Sequence, residues 1–178
     1  MPFVAAQLAL ASLVVLGVDA KTYETRAHAL ERVFGADAQI ERKTIFLTEA
    51  QIDAVQAVSS ARVEHARVTL HVAHRDGKLL GRAYLDTHLV RSLYETLLIV
   101  VGTDGRTRNV DILAFHEPED YLPPRRWLRT LEKRELSPRL RPGDEVDAIS
   151  GATLSARAAA QAVRRVLALD RIVRGEQP

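Results

Sequence analysis

Residues 144–157 read DEVDAISGATLSAR, and they hold the densest set of groups in the chain able to do chemistry. Asp147 follows Pro142-Gly143 in a loop, and Ser150-Gly151-Ala152-Thr153 opens the last helical stretch. The first N–H groups of a helix have no intrahelical partner, and the macrodipole places partial positive charge there. Gly151 and Ala152 are small enough for a bulky group to approach the backbone closely. A phosphate suits such a place. Arg157, one turn beyond Thr153, adds a guanidinium for a charge-assisted contact. The same residues also describe an ordinary helix start, because Asp and Ser are common caps and Thr in a first turn is unremarkable. Local physics leaves both readings open.

The elements that must position this segment follow from hydrophobic period. From residue 150 to about 174 the pattern is helical. Leu154, Ala158, Ala162, Val166, Leu169 and Val173 form one apolar stripe, with Arg157, Arg164 and Arg171 off it. Upstream, Val68, Leu70 and Val72 alternate with Thr69, His71 and Ala73, the period of a half-buried strand. Asp76-Gly77 turns that strand into residues 78–86, an evident hairpin. The dense apolar run at 95–102 reads as a central strand, and Asp104-Gly105 turns it into residues 108–115. Two hairpins in series predict an antiparallel sheet of about four strands. The Pro-marked loop HEPEDYLPP comes next, then a short amphipathic helix over 125–131.

Nearer the N-terminus, residues 23–34 read as a helix closed by Gly35, and Thr44 to Leu47 as a short strand. Thr48-Glu49-Ala50-Gln51 has the spacing of a capping box, opening a helix that ends near Ser59-Ser60. The whole order predicts an α+β single domain. Its antiparallel sheet of two hairpins is packed by helices, and the last helix carries the 147–155 segment at its N-terminus.

A chain of 178 residues with 47% hydrophobic and 27% charged side chains is an ordinary globular domain. It has no cysteine, which excludes disulfides, thiolate zinc sites, iron–sulfur clusters and c-type haem attachment. A net charge of +2, with few aromatics among the basic residues, argues against nucleic acid as a partner. Neither the common dinucleotide and phosphate loops nor G-x-S-x-G and H-E-x-x-H are present. His71 and His74 face opposite sides of a strand and are expected at the surface, so no metal site is expected. Residues 3–18 are apolar apart from Gln7 and Ser12, short for a bilayer span, and lead to Val18-Asp19-Ala20. Residues 1–20 therefore read as a signal peptide or a membrane anchor, and the location as extracytoplasmic (periplasmic).

The run from Asp147 to Ser155 resembles the flavinylation motif D-x-x-[ST]-G-A-T, with every discriminating position matched. That motif marks the FMN-binding domain family, which includes the flavin-bearing C subunit of the sodium-translocating NADH:quinone reductase and the G subunit of the Rnf complex. The resemblance is strongest over 68–178 and makes residues 21–178 an FMN-binding domain. It implies covalent FMN, donated from FAD by a flavin transferase and joined through its phosphate to Thr153. Ser150, Gly151 and Ala152 would then hold the phosphate through backbone N–H groups, with Ser150 also able to cap the helix. Asp147 would order the loop or serve the transferase, and Leu154 and Arg157 would flank the cofactor.

Where the large complex subunits carry a T-P-G-L-G-like loop, this chain reads His116-Glu117-Pro118-Glu119-Asp120-Tyr121-Leu122-Pro123. The likeness is therefore to the smaller stand-alone FMN-binding proteins. By loop position Glu117, Tyr121 and Leu122 would lie by the isoalloxazine ring, with Thr87 and His88 as further contacts. Trp127 reads as core or as ring shielding. With no cysteine and no second cofactor motif, the expected role is an electron carrier between a membrane reductase and another redox protein, membrane-bound or soluble. A small flavin-dependent reductase, using His88 or His116 as proton donor, and a flavin-bearing sensory or assembly module are the alternatives.

Overall fold

The computed structural model describes residues 21–176, so the signal or anchor reading of residues 1–20 lies outside the described residues. The elements in chain order are β1 (Lys21–Thr22), α1 (Arg26–Phe34), β2 (Gln39–Phe46), α2 (Glu49–Ser59), β3 (Arg67–Arg75) and β4 (Lys78–Leu89). They continue with β5 (Tyr94–Val101), β6 (Thr107–Phe115), α3 (Arg125–Leu128) and α4 (Thr153–Val173), with 3-10 turns at Glu119–Tyr121 and Arg129–Leu131. The strands form one antiparallel sheet in the order β1-β6-β5-β4-β3-β2. Among the described residues no helix is long and apolar enough to cross a membrane.

The α+β class and the two central hairpins are as the sequence predicts, but the sheet has six strands rather than about four. β2 begins at Gln39, five residues before the expected strand, because Glu41, Arg42 and Lys43 mask its period. An edge strand tolerates those charges, since one of its sides faces solvent. β1 is two residues paired to the outer side of β6, Lys21 opposite Phe115, too short to leave a pattern. The Asp76-Gly77 turn has positive φ at both residues (50° and 73°), as the two-residue hairpin turn requires.

Both faces of the sheet are covered. Leu98 and Val100 of β5 point with Ala73, Ala83 and Leu113 toward Ala29, Leu30 and Phe34 of α1. Leu97, Ile99 and Val101 point the other way, with Leu70, Val72 and Tyr84, onto α4. The apolar run of β5 is continuous for this reason. Ala156, Ala159, Ala160 and Ala162 keep the α4 surface low. α2 packs beside α4 through Val55, Ala168 and Leu169.

One expected surface residue of α4 is inside. Arg164 is only 6% exposed, and its Nη1 donates to the Pro138 carbonyl. The long loop between the second 3-10 turn and α4 folds over this side of the helix. His71 likewise is 5% exposed rather than at the surface, because α1 and the neighbouring strands cover it.

The tie between α4 and the sheet is polar. The Asp170 carboxylate, fully buried, accepts from Arg82 Nε at 2.5 Å, Arg82 Nη2 at 3.1 Å and the Tyr84 hydroxyl at 2.8 Å. Arg174, one turn on, adds a third donor residue at 3.0 Å. Burial and the adjacent carboxylate hold the Tyr84 hydroxyl well above its ordinary range, so it remains a donor. Asp170→Asn leaves Arg82 buried without its counter-charge, which costs about 3–5 kcal/mol. Thermal melting should show Tm lowered by roughly 10 °C. A variant melting within about 2 °C of the parent would show that this tie does not anchor α4.

Candidate functional site

α4 runs antiparallel to β4: Asp170 meets Arg82 and Tyr84, while Arg165, more than a turn earlier, meets Asp86. The N-terminus of α4 therefore lies at the end of the sheet where β4 finishes at Leu89 and β5 begins at Tyr94. The loop entering α4 is held by its backbone. Gly143 N–H donates to the Val146 carbonyl, and Trp127 Nε1 donates to the Asp147 carbonyl at 2.7 Å. Trp127 is thus a buried core residue that fixes the loop. The Asp147 side chain stays exposed.

Gly151 has φ of 86°, and a Cβ built on it would meet nothing within 4 Å. The conformation needs glycine, and the space beside it is open. The helix starts later than the sequence predicts, at Thr153, with Ala152 as N-cap and no side-chain cap bond. Ser150 therefore does not cap α4, because it lies two residues too early to reach the first turn. Thr25 and Thr48 do cap α1 and α2 with their hydroxyls, the second in a full capping box. At α4 no side chain takes that place.

Thr153 is exposed, and its Oγ1 donates to the Ile149 carbonyl at 3.1 Å, leaving the oxygen lone pairs outward. Leu154 is 47% exposed beside it. Arg157 is exposed, one turn along, and makes no ion pair among the described residues. Uncapped N–H groups, an open glycine and an unpaired guanidinium form a donor set that fits a phosphate monoester, with the exposed Thr153 oxygen beside it.

The far rim of this end is built by Glu117. Its Oε1 accepts three backbone N–H groups, from Arg91 at 3.1 Å, Ser92 at 2.8 Å and Leu93 at 2.9 Å. Burial raises the carboxyl, but these three donors outweigh it and hold the pKa below the ordinary value. Glu117 thus clamps the β4–β5 turn onto the segment after β6. The Arg91 guanidinium lies 4.4 Å from the centre of the Tyr121 ring. The 3-10 turn carrying Tyr121 packs against α4, and Leu122 beside it is half-buried. The structure therefore brings Glu117, Tyr121 and Leu122 to the end of the molecule that holds Thr153. Leu89 and Tyr94, cross-strand partners that are both about half exposed, complete the rim.

Thr87 and His88 sit otherwise. The Thr87 hydroxyl lies 3.0 Å from that of Thr96 across the strand pair. Both His88 nitrogens are engaged, Nδ1 with Asp86 Oδ1 at 2.8 Å and Nε2 with Glu95 Oε1 at 2.7 Å. Arg165 holds both Asp86 oxygens, at 2.9 and 2.5 Å. The sequence reading missed this buried cluster. The signal available was the inward alternation Arg82, Tyr84, Asp86, His88 along β4, four polar-headed residues on a core-facing side. Among the described residues no cluster suits a metal ion.

Burial pulls the His88 pKa down, but the two carboxylates outweigh it and raise it to about 9. Glu95 is also raised, by its own burial, whereas at Asp86 burial is outweighed by His88 and Arg165, which lower it, so His88 is the group that gains a proton near neutral pH. Stability from His88 is then complete below about pH 6.5 and is lost as pH rises through about 9. Denaturant unfolding across that window should lose on the order of 3 kcal/mol. A flat profile from pH 6.5 to 9.5 would contradict a charged His88.

Comparison with known proteins agrees with this geometry over one part of the chain. Residues 94–168 match the family model described as FMN-binding domain. The match takes in Glu117, Tyr121, Leu122, Asp147 and the whole 150–157 segment, and it leaves Thr87 and His88 outside. No curated protein and no solved structure matches the chain. With an anion-ready helix start inside the matched region, residues 94–168 are similar to the FMN-binding domain family.

Proposed function

We propose that this protein is an extracytoplasmic electron carrier with FMN held as a phosphoester on Thr153. The observation that carries the reading is the exposed Thr153 hydroxyl at a helix start that no side chain caps. In attachment, a flavin transferase presents FAD, and Thr153 Oγ1 forms a bond to the phosphorus of its FMN half. The bond to the AMP phosphate breaks, AMP leaves, and the hydroxyl proton passes to solvent. Bound FMN supplies one- and two-electron redox chemistry.

The chain's own residues supply retention and setting. The free N–H groups at the start of α4 and the Arg157 guanidinium offset the phosphate charge. Glu117 fixes the turn opposite, and Tyr121, Leu89, Tyr94 and Leu154 offer apolar surface at the rim. His88, whose two ring nitrogens are both taken by carboxylates, is poorly placed to give a proton to a substrate. That favours a carrier, accepting from a membrane reductase and passing to another redox protein, over a direct reductase. Residues 1–20 serve this role as an export signal or an anchor, and a phosphoester prevents loss of FMN by dilution outside the cell.

Intact mass after co-expression with a flavin transferase tests the attachment. The protein should gain about 438 Da, one FMN less water, and Thr153→Val should gain nothing. No gain in the parent chain, with the transferase active on another target, would overturn the reading.

A further inference from the structure

The sheet is split on the side away from the family match. β3 and β4 pair from Arg75 opposite Lys78 as far as Leu70 opposite Tyr84. Beyond that point β3 continues through Thr69, Val68 and Arg67 on β2 alone, and β4 continues from Leu85 to Leu89 on β5 alone. The strands part, and a cleft of about 690 Å³ opens between them. Its volume is in the range of small-molecule sites.

The cleft is strongly basic. Arg26 of α1, Arg42 of β2, Arg62 of the loop after α2 and Arg67 of β3 all line it. All four are exposed, and none makes an ion pair among the described residues. The lining carboxylates are Glu64 and Asp86, and Asp86 is already held by Arg165 and His88. One acidic side chain thus faces four unpaired guanidinium groups from four different elements.

A second observation points the same way. His71 lines the cleft and is 5% exposed, yet its Nδ1 has no hydrogen-bond partner. Burial first, then Arg26 and Arg42, push its pKa below the ordinary value, so the wall presents a neutral imidazole with an unmet polar atom. Buried polar atoms are normally paired, and one left open beside a cluster of cations marks a place for a ligand. Guanidinium forks match carboxylate and phosphate oxygens. Spread over four elements, they select an anion with more than one charged group.

We propose that the cleft where β3 and β4 part binds a small organic anion bearing two or more phosphate or carboxylate groups. The cleft adjoins the Thr153 end, since Leu89 and Tyr94 line both, but its basic wall is distinct: Thr153 and Arg157 do not line it, and α4 contributes Ala158, Gln161 and Arg165 instead. Bound there, the anion bridges β2, β3 and α1 and closes the open side of β4.

Calorimetry and thermal melting of the full chain with sodium pyrophosphate, and separately with citrate, test this against sodium chloride at matched ionic strength. One or both anions should bind with saturation at one site and raise the melting temperature. The stronger of the two distinguishes phosphate from carboxylate chemistry. The double variant Arg42→Gln/Arg67→Gln should melt like the parent without ligand, because both side chains are exposed and unpaired, and should bind at least tenfold more weakly. Thr153→Val should bind unchanged. Equal affinity in the double variant, no effect beyond that of chloride, or loss of binding in Thr153→Val would each overturn the proposal. The last outcome would place the anion at the helix start instead.

Discussion

The buried carboxylate of Asp170 sets the geometry on which the rest depends. It sits in a region of low dielectric, where an unpaired charge costs several kcal/mol. Arg82, Tyr84 and Arg174 all donate to it, so α4 cannot slip by a turn, about 5.4 Å, without stranding it. Apolar packing alone would hold the N-terminal half of α4 less firmly, because Ala156, Ala159, Ala160 and Ala162 there offer little side-chain relief. With the register fixed at Asp170, Thr153 lies 17 residues back, about 25 Å along the axis, just past the end of β4. The place of the hydroxyl is decided at the other end of the helix.

The inward side of β4 extends this logic. Arg82 and Tyr84 meet Asp170, Asp86 meets Arg165, and His88 meets Asp86 and Glu95. Each polar head has a partner on α4, on β5 or on β4 itself, and none on β3. β3 leaves β4 where this side changes from Tyr84 to Asp86. The split in the sheet and the polar seam are thus two sides of one arrangement. Side chains satisfied by the helix and the inner strand need nothing from the outer strand, and β3 is free to follow β2.

The extent to which the sequence disclosed this follows the range of each interaction. The capping box at Thr48 and Gln51 forms both of its reciprocal bonds, because it is a contact over three residues. The Asp76-Gly77 turn and the alternation of β3 are local too, and they lie where the pattern puts them. The 147–155 segment is contiguous, so a motif could announce it. β2 was hidden by the charges of an edge strand, and the burial of Arg164 and His71 by the loop and the strands that cover them. Glu117 was singled out by loop position, but its grip on three N–H groups of a turn about 25 residues earlier is a tertiary fact. The gap between β3 and β4 is the least legible feature, since it is an absence of pairing between two strands that each read normally.

The contrast among the helix starts bears on how the cofactor would be kept. α1 and α2, the two shorter of the three helices longer than two turns, each have a threonine hydroxyl accepting from the first turn. At α4 the N-cap is alanine, and the nearest threonine, Thr153, turns its hydroxyl back to Ile149 rather than to the first N–H groups. Those groups are left for an acceptor from outside, and a phosphate carries several oxygens able to take more than one of them. The proposed covalent bond at the same spot would separate retention from recognition: the ring would not have to be enclosed to stay attached. Leu89, Tyr94 and Leu154 are exposed around that end, and a group of exposed apolar side chains of this kind is free to contact another molecule.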